Sequence, residues 1–221
     1  MRESGIVGML ALCLLAPAGA QMQTPSDWKW RADAAVSLVG EGRAPGDAEL
    51  FFVAMPPGWH VTTGPGTLLY HPDYQGRGSF VVEAEIFLFP GDSQEGYGVF
   101  VAGRSLDEAA STPGYLAFVA RRDGRAGVFE RSAAGLVPVA DWMANDAVVP
   151  HAGGEGTAKN VLRVEVGPAE IAFSANGKPI AVIPRGDRAL EGHIGFRIGP
   201  RVNLHASRLD VTYRLAPVPK K

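Results

Sequence analysis

The chain has almost no cysteine. Cys13 is the only one among 221 residues, and it lies in an N-terminal segment that we expect to be removed. Without another thiol the mature protein has no disulfide, no thiolate metal ligand and no cysteine nucleophile. Its stability must therefore come from a packed core, which a chain of about 200 residues is long enough to form.

The chain also lacks an excess of charge of either sign. Lys and Arg number 21 against 23 Asp and Glu, which gives a net charge of −2. Basic residues adjoin one another only in pairs, such as the terminal Lys220 and Lys221. Proteins that bind nucleic acid concentrate Lys and Arg against the phosphates, so nucleic acid is not an expected partner.

No apolar run at the N-terminus is long enough to cross a bilayer. Residues 6–15 are apolar, whereas a spanning helix needs about 20 such residues. Arg2 precedes this run, and small residues up to Ala20 follow it, which is the pattern of a secretory signal peptide. We predict a signal peptide over residues 1–20. The mature chain, 21–221, would be exported to the periplasm or the extracellular space, with no membrane span.

Motifs for cofactors and metals are missing as well. The glycine-rich stretch 153–156 does not have the spacing of a phosphate-binding loop, and no H-E-x-x-H run or serine elbow occurs. The histidines have no metal-ligand spacing; they are His60, His71, His151, His193 and His205. The sequence therefore predicts no cofactor and no metal site.

What the chain does contain is turns and alternating strands. It has 28 glycines and 17 prolines. The stretch 160–185 shows three short runs of period-two alternation, and Asn176-Gly177 between the second and third favours a type I′ hairpin turn. Asp123-Gly124 predicts a second hairpin of this kind, between 115–122 and 125–131.

Further strands are predicted on the same grounds, and turn signals recur about every ten residues, which is typical of a sandwich or barrel. We expect a hairpin of 59–63 with 67–70 and some helical character over 105–113. We also expect 136–142 to be an edge strand, because it contains Pro138. The other predicted strands are 50–53, 80–89, 97–103, 192–198, 202–206 and 209–215. With no linker and no fixed repeat, residues 21–221 are predicted to form a single all-β domain.

From Ser79 onward the order of these segments resembles the concanavalin A-like, laminin-G-like jelly rolls of secreted bacterial proteins, and in particular the 3-keto-disaccharide hydrolase-like domain. The matching segments are 80–85, 96–100, 114–118, 160–166 leading to Asn176-Gly177, and 192–198. This resemblance implies a two-sheet antiparallel jelly-roll sandwich. The chain departs from laminarinase-like enzymes, because it has no Glu-x-Asp-x-x-Glu run, and from legume-lectin relatives, because it has no clustered calcium ligands.

Glu83 and Glu85 are the candidate catalytic pair. Residues two apart in a strand point to the same side, about 6.6 Å apart at the backbone, which is compatible with the acid and the base or nucleophile of a glycosidase. The alternative is that both are ordinary solvated residues paired with arginines across the sheet, as antiparallel sheets commonly show.

The other candidate site residues are polar or aromatic. We expect polar contacts to a ligand across one concave sheet, and aromatic rings that stack on a sugar through apolar contact. The polar candidates are Arg121, Arg163, Arg197 and His205, beside Glu83 and Glu85. The ring candidates are Tyr74 and Trp142.

Three functions follow as hypotheses. The first is an exported jelly roll that binds a saccharide or glycoconjugate. The second, implied by the resemblance, is a glycoside hydrolase with Glu83 and Glu85 as its catalytic residues. The third is a non-catalytic interaction or structural domain of the cell envelope, whose protein partner the sequence does not identify.

Overall fold

The computed structural model describes residues 23–40 and 45–214, and every regular element in them is a β-strand. The predicted signal peptide and the terminal lysine pair lie outside the described residues. The strands are β1 (Lys29–Ala32), β2 (Ser37–Val39), β3 (Glu49–Ala54), β4 (Trp59–Thr63), β5 (Thr67–Gly76), β6 (Ser79–Leu88), β7 (Tyr97–Arg104), β8 (Gly114–Ala120), β9 (Arg125–Ser132), β10 (Gly135–Ala144), β11 (Ala158–Val166), β12 (Glu170–Ala175), β13 (Lys178–Pro184), β14 (Gly192–Ile198) and β15 (Asn203–Arg214).

The strands form two sheets. The front sheet has seven strands in the order β1-β5-β14-β7-β8-β9-β10, and the back sheet has eight in the order β13-β12-β11-β6-β15-β4-β3-β2. All neighbours are antiparallel except β2 and β3, which run parallel. The predicted all-β jelly-roll sandwich is confirmed, and β10, with Pro138, is an edge strand as expected.

The turn chemistry sets the hairpins. Asn176 and Gly177 have φ of 51° and 78°, the positive values that a type I′ turn requires at both central positions. They join β12 to β13, which pair along their whole length. The predicted hairpin at Asp123-Gly124 is also present, since β8 pairs with β9 from Ala120 opposite Ala126 onward.

The core lies between the two sheets. Phe118 of the front sheet and Phe173 of the back sheet meet with ring centroids 5.5 Å apart. Phe80, Val82 and Ile86, which alternate along β6, are fully buried in the same cluster. The predicted interleaving of alternate side chains between two layers is therefore confirmed.

One predicted hairpin is wrong. Residues 59–63 and 67–70 do not pair with each other, because β4 belongs to the back sheet and β5 to the front sheet. Buried Thr63 donates a hydrogen bond to the carbonyl of Gly199 at 2.6 Å, and the Gly64 amide donates to the carbonyl of Glu49 at 2.7 Å. These bonds hold the chain while it crosses from one sheet to the other.

Two smaller differences concern local conformation. Residues 105–113 contain bends and turns and no helix. The stretches 202–206 and 209–215 are predicted as separate strands. Within the described residues they belong to one strand, β15 (Asn203–Arg214), with a register shift between Ala206 and Arg208 where it pairs with β6. Nowhere in the described residues is there a helix of the length and apolar character needed to cross a membrane.

Candidate functional site

The front sheet is apolar on its outer face as well as on its inner face. In β8, Leu116 and Phe118 pack into the main core, whereas Tyr115, Ala117 and Val119 point to the opposite side and belong to a second apolar cluster. The other buried members of that cluster are Leu68, Tyr70, Phe100 and Leu106. An antiparallel sheet commonly presents polar residues on its solvated side. The front sheet differs from that pattern, because its outer face is apolar too.

An open cavity of ≈ 160 Å³ lies on this face, and we call it the aromatic groove. The lining residues are Glu95, Gly96, Tyr115, Ala117, Val119, Phe129, Leu136, Trp142, Arg197 and Gly199. Trp142 packs against Phe129 with ring centroids 4.9 Å apart, and the guanidinium of Arg121 lies 4.8 Å from the Trp142 ring centroid. A Cβ at Gly96 would come within 2.8 Å of the Trp142 ring, so the glycine allows the indole to lie against the sheet.

A second cavity, of ≈ 410 Å³, continues from the aromatic groove, and we call it the arginine cavity. The two share Tyr115, Leu136 and Arg197 in their linings. Arg197 binds Asp33 with both terminal nitrogens, Nη1 to Oδ1 at 3.0 Å and Nη2 to Oδ2 at 2.6 Å. A bidentate pair of this kind fixes the guanidinium in one orientation.

Electrostatic effects in the two cavities keep Arg197 charged and Tyr115 neutral. Burial lowers the pKa of Arg197, but the neighbouring Tyr115 and the Asp33 carboxylate outweigh it, so the pKa is raised on balance. Burial raises the pKa of Tyr115, and the positive charge of Arg197 opposes that rise. The protonated phenol therefore presents an O–H group beside a fixed cation.

A third cavity, of ≈ 370 Å³, lies beyond the arginine cavity at the β1 edge, and Arg31 lines both. Trp30 in its lining is 36% exposed. Asp107 accepts hydrogen bonds from Lys29 at 2.8 Å and from the Tyr70 hydroxyl at 2.9 Å, and these bonds, that from Lys29 first, lower the pKa of Asp107. The three cavities together form a groove across the front sheet, from Trp142 to the β1 edge. Trp30 is paired with Leu69 of the main core, so its side chain lies on the inner side of β1, whereas Lys29 and Arg31 lie on the groove side.

The back sheet has a different outer face, which carries ion pairs. Glu83 pairs with Arg208 at 2.7 Å and with Arg163 at 3.5 Å. Glu85 pairs with Lys159 at 2.6 Å and accepts a hydrogen bond from Ser207 at 2.8 Å. Cross-strand register explains these contacts, because Glu83 lies opposite Arg163 of β11.

These partners do not suit Glu85 to act as a general acid. The hydrogen bonds from Lys159, and then from Ser207, lower its pKa against the opposing effect of burial, whereas a catalytic acid working near neutral pH needs a raised pKa. The catalytic roles of Glu83 and Glu85 stay a prediction, and the structure accounts for both side chains as members of a charged network.

A further cavity, of ≈ 490 Å³, lies beside Glu85 on the back sheet. It is lined mainly by apolar side chains, among them Met55, Phe87 and Phe89. His205 also lines it, and its Nε2 lies 2.8 Å from the carbonyl of Pro57. Since the polar side chains of Glu85 and His205 already have protein partners, this surface offers a ligand few free polar groups.

The structure divides the predicted site residues between the two sheets. Glu83, Glu85, Arg163 and His205 lie together on the outer face of the back sheet. Arg121, Arg197 and Trp142 lie on the outer face of the front sheet. The expectation that all of them meet a ligand across one sheet face is therefore wrong, because residue period gives the side of a strand and not the sheet to which it belongs.

Tyr74 belongs to neither face. Its ring packs against the main core, 4.9 Å from the ring of His71 and 6.2 Å from that of Trp28. It is half-buried rather than the exposed ring that its surrounding polar sequence predicts.

Sequence reasoning missed several residues of the groove, namely Asp33, Glu95, Tyr115, Phe129 and Arg131. A signal was present for Tyr115, because the run 115–120 is apolar at every position and so has two apolar faces. For Asp33 no local pattern indicates that it pairs with Arg197, which is 164 positions away in the chain. In the described part of the chain, no group of three or more His, Cys, Asp or Glu residues is placed to hold a metal ion.

The chain thus has a two-sheet jelly-roll fold of the concanavalin A-like type, with an open groove on the outer face of the front sheet. No protein-family model matches the chain, and no curated protein sequence matches it significantly. The narrower resemblance to the 3-keto-disaccharide hydrolase-like domain accordingly stays a prediction.

Solved structures do resemble the fold. The carbohydrate-binding module CBM66 from Bacillus subtilis matches with a TM-score of 0.59 at 10% identity, over 85% of this chain and 96% of that one. A Bacillus subtilis protein of unknown function with a galectin-like fold gives 0.56 at 12%, over 84% and 89%. The GH16 protein of the Bacteroides ovatus mixed-linkage glucan locus, in complex with its product, gives 0.56 at 7%, over 86% and 96%. Identities this low establish a common fold and assign no ligand.

Proposed function

We propose that the protein is an exported saccharide-binding jelly roll and that the ligand lies in the groove of the front sheet. The observation that carries this proposal is the outer apolar face of that sheet, where Tyr115, Phe129 and Trp142 line an open cavity. Ligand sites combine apolar and aromatic walls with a few well-placed polar groups. Here those groups are Glu95, Arg197 and the Tyr115 hydroxyl.

The shape of the groove supports an oligosaccharide rather than a compact ligand. Three connected cavities cross the sheet from Trp142 to the β1 edge. A pyranose ring has an apolar face that packs on an aromatic ring, so Trp142 suits the end of a sugar chain that lies in the aromatic groove. The related folds include a carbohydrate-binding module and a protein bound to a glucan product, which is consistent with such a ligand.

The direct test is binding of the mature chain, residues 21–221, to a glycan array, followed by titration calorimetry with the saccharides that bind. We expect at least one saccharide to bind, with an affinity that rises from the monosaccharide to the tetrasaccharide as more of the groove is filled. Failure to bind any saccharide on the array would contradict the proposal.

Replacing Glu83 or Glu85 by glutamine discriminates between the two sheets. If the ligand lies on the front sheet, Glu83→Gln and Glu85→Gln should each change saccharide affinity by less than about twofold. The free energy of unfolding should fall by no more than about 1 kcal/mol, as is usual for half-exposed ion pairs. Calorimetry and urea denaturation measure the two quantities. A loss of binding in either variant would place the ligand on the back sheet.

A further inference from the structure

In the described part of the chain, the side chain of Arg131 in β9 has no hydrogen-bond or ion-pair partner. No hydrogen bond or ion pair of its guanidinium is found among residues 23–40 and 45–214, and its Nε is buried without an acceptor. Leaving a buried charged donor unsatisfied is costly. Nδ1 of His193 and of His205 are also buried and unpaired, but a neutral imidazole has one nitrogen that carries no proton. Arg131 is thus the permanently charged group among the three.

The side chain lines the arginine cavity, where the other cations already have partners. Arg31 donates to the carbonyls of Glu108, Ala109 and Ser111 at 2.8 to 3.0 Å, and Arg197 is paired with Asp33. The charged residues in the lining are these two arginines, Arg131 and Asp33. One carboxylate therefore faces three guanidinium groups, which leaves two positive charges in the lining. Arg31 is held by neutral carbonyls, so Arg131 is the one of the two whose N–H donors are not already bound.

We propose that the saccharide bound in the groove is acidic and that its carboxylate or sulfate group binds Arg131. A guanidinium presents its N–H donors in a planar fork that matches such an anion, and an anion would satisfy the donors that the protein leaves unpaired. Register places Arg131 directly opposite Tyr115 on one side and Leu136 on the other. Since Tyr115 and Leu136 line both the aromatic groove and the arginine cavity, the charged unit would lie next to the sugar that packs on Trp142. This inference rests on the proposed function and adds the chemical class of the ligand.

Calorimetry with three sets of oligosaccharides tests the inference. The probes are oligogalacturonides, the same oligogalacturonides fully methyl-esterified, and sulfated galactan oligosaccharides. We expect the acidic probes to bind at least tenfold more tightly than the methyl esters, with an affinity that falls as salt is raised from 50 to 500 mM because salt screens exposed charges. Comparison of the first and third sets shows whether carboxylate or sulfate is preferred.

The variant Arg131→Gln should lose about tenfold to a hundredfold in affinity for the acidic probe, as expected for a charged hydrogen bond, and should keep the affinity for the methyl ester. Arg131→Lys, which keeps the charge without the fork, should fall between the two. The matched control is Arg125→Gln at the other end of β9, where Arg125 pairs with Asp123 at 3.5 Å; it should bind as the unmodified protein does. Circular dichroism confirms that each variant is folded.

Equal binding of acidic and esterified probes would overturn the inference and leave the proposed function in place. A preference for acidic probes that persists in Arg131→Gln would also overturn it, since the anion would then bind elsewhere. If none of the probes binds and the glycan array is blank as well, the inference and the proposed function both fail.

Discussion

Replacing Trp142 by alanine is expected to weaken saccharide binding about 30-fold, which corresponds to about 2 kcal/mol at a central aromatic contact. Trp142 lines the aromatic groove, where its ring contacts Phe129 and the guanidinium of Arg121. Because these contacts fix the indole before a ligand arrives, little conformational entropy is lost when a sugar packs on it. The measurement is titration calorimetry with whichever saccharide binds most tightly on the array.

Two variants serve as controls for this result. Trp142→Phe keeps an aromatic ring and should retain affinity within about fivefold, since the loss is one of contact area rather than of stacking. Tyr213→Ala removes a ring that is 47% exposed on the last strand of the back sheet and should leave affinity unchanged. Equal losses from Trp142→Ala and Tyr213→Ala would indicate a general effect on the fold and would contradict the assignment of the groove.

The sandwich itself could be predicted because its determinants are local. Alternation along β6 marks Phe80, Val82 and Ile86 as one face, and Asn176-Gly177 specifies a turn by its need for positive φ. The pairing of β4 and β5 could not be predicted in this way. Glycine and proline between two strands are as compatible with a crossing between sheets as with a hairpin, and the choice depends on contacts such as that of Thr63 with Gly199.

The site could be predicted only in part for a related reason. Arg121, Arg197 and Trp142 were candidates because of their chemistry, and the structure places all three on one face. Arg163 and His205 had the same chemistry and lie on the other sheet. Which outward residues share a face depends on the order of strands in each sheet, and that order results from pairings between segments far apart in the sequence.

Replacing Asn160 is expected to have a large effect on the stability of the fold. Asn160 is fully buried in β11, and its side chain makes four hydrogen bonds within the protein. Its Nδ2 donates to the Tyr97 hydroxyl at 3.0 Å and to the Val149 carbonyl at 2.9 Å. Its Oδ1 accepts from the Val149 amide at 2.8 Å and from Nδ2 of Asn176 at 2.8 Å. One side chain thus joins both sheets, the loop after β10 and the type I′ turn.

Asn160→Ala should lower the free energy of unfolding by about 3 kcal/mol, because it removes four hydrogen bonds at once and leaves the buried Tyr97 hydroxyl without its partner. Burial raises the pKa of Tyr97 to about 12, so its hydroxyl stays protonated near neutral pH and cannot relieve the loss by ionising. For a chain of this size the melting temperature should fall by about 6 to 12 °C. Urea denaturation and calorimetry measure these changes.

Asn145→Ala is the matched control, since Asn145 lies in the same loop and accepts a single bond from the Ala147 amide at 2.9 Å. In Asn145→Ala the free energy of unfolding should fall by about 1 kcal/mol or less. Because the loop held by Asn160 begins where β10 ends, two residues after Trp142, Asn160→Ala should also weaken saccharide binding at temperatures where the protein is still folded. A variant that loses stability and keeps full affinity would show that the loop does not position Trp142.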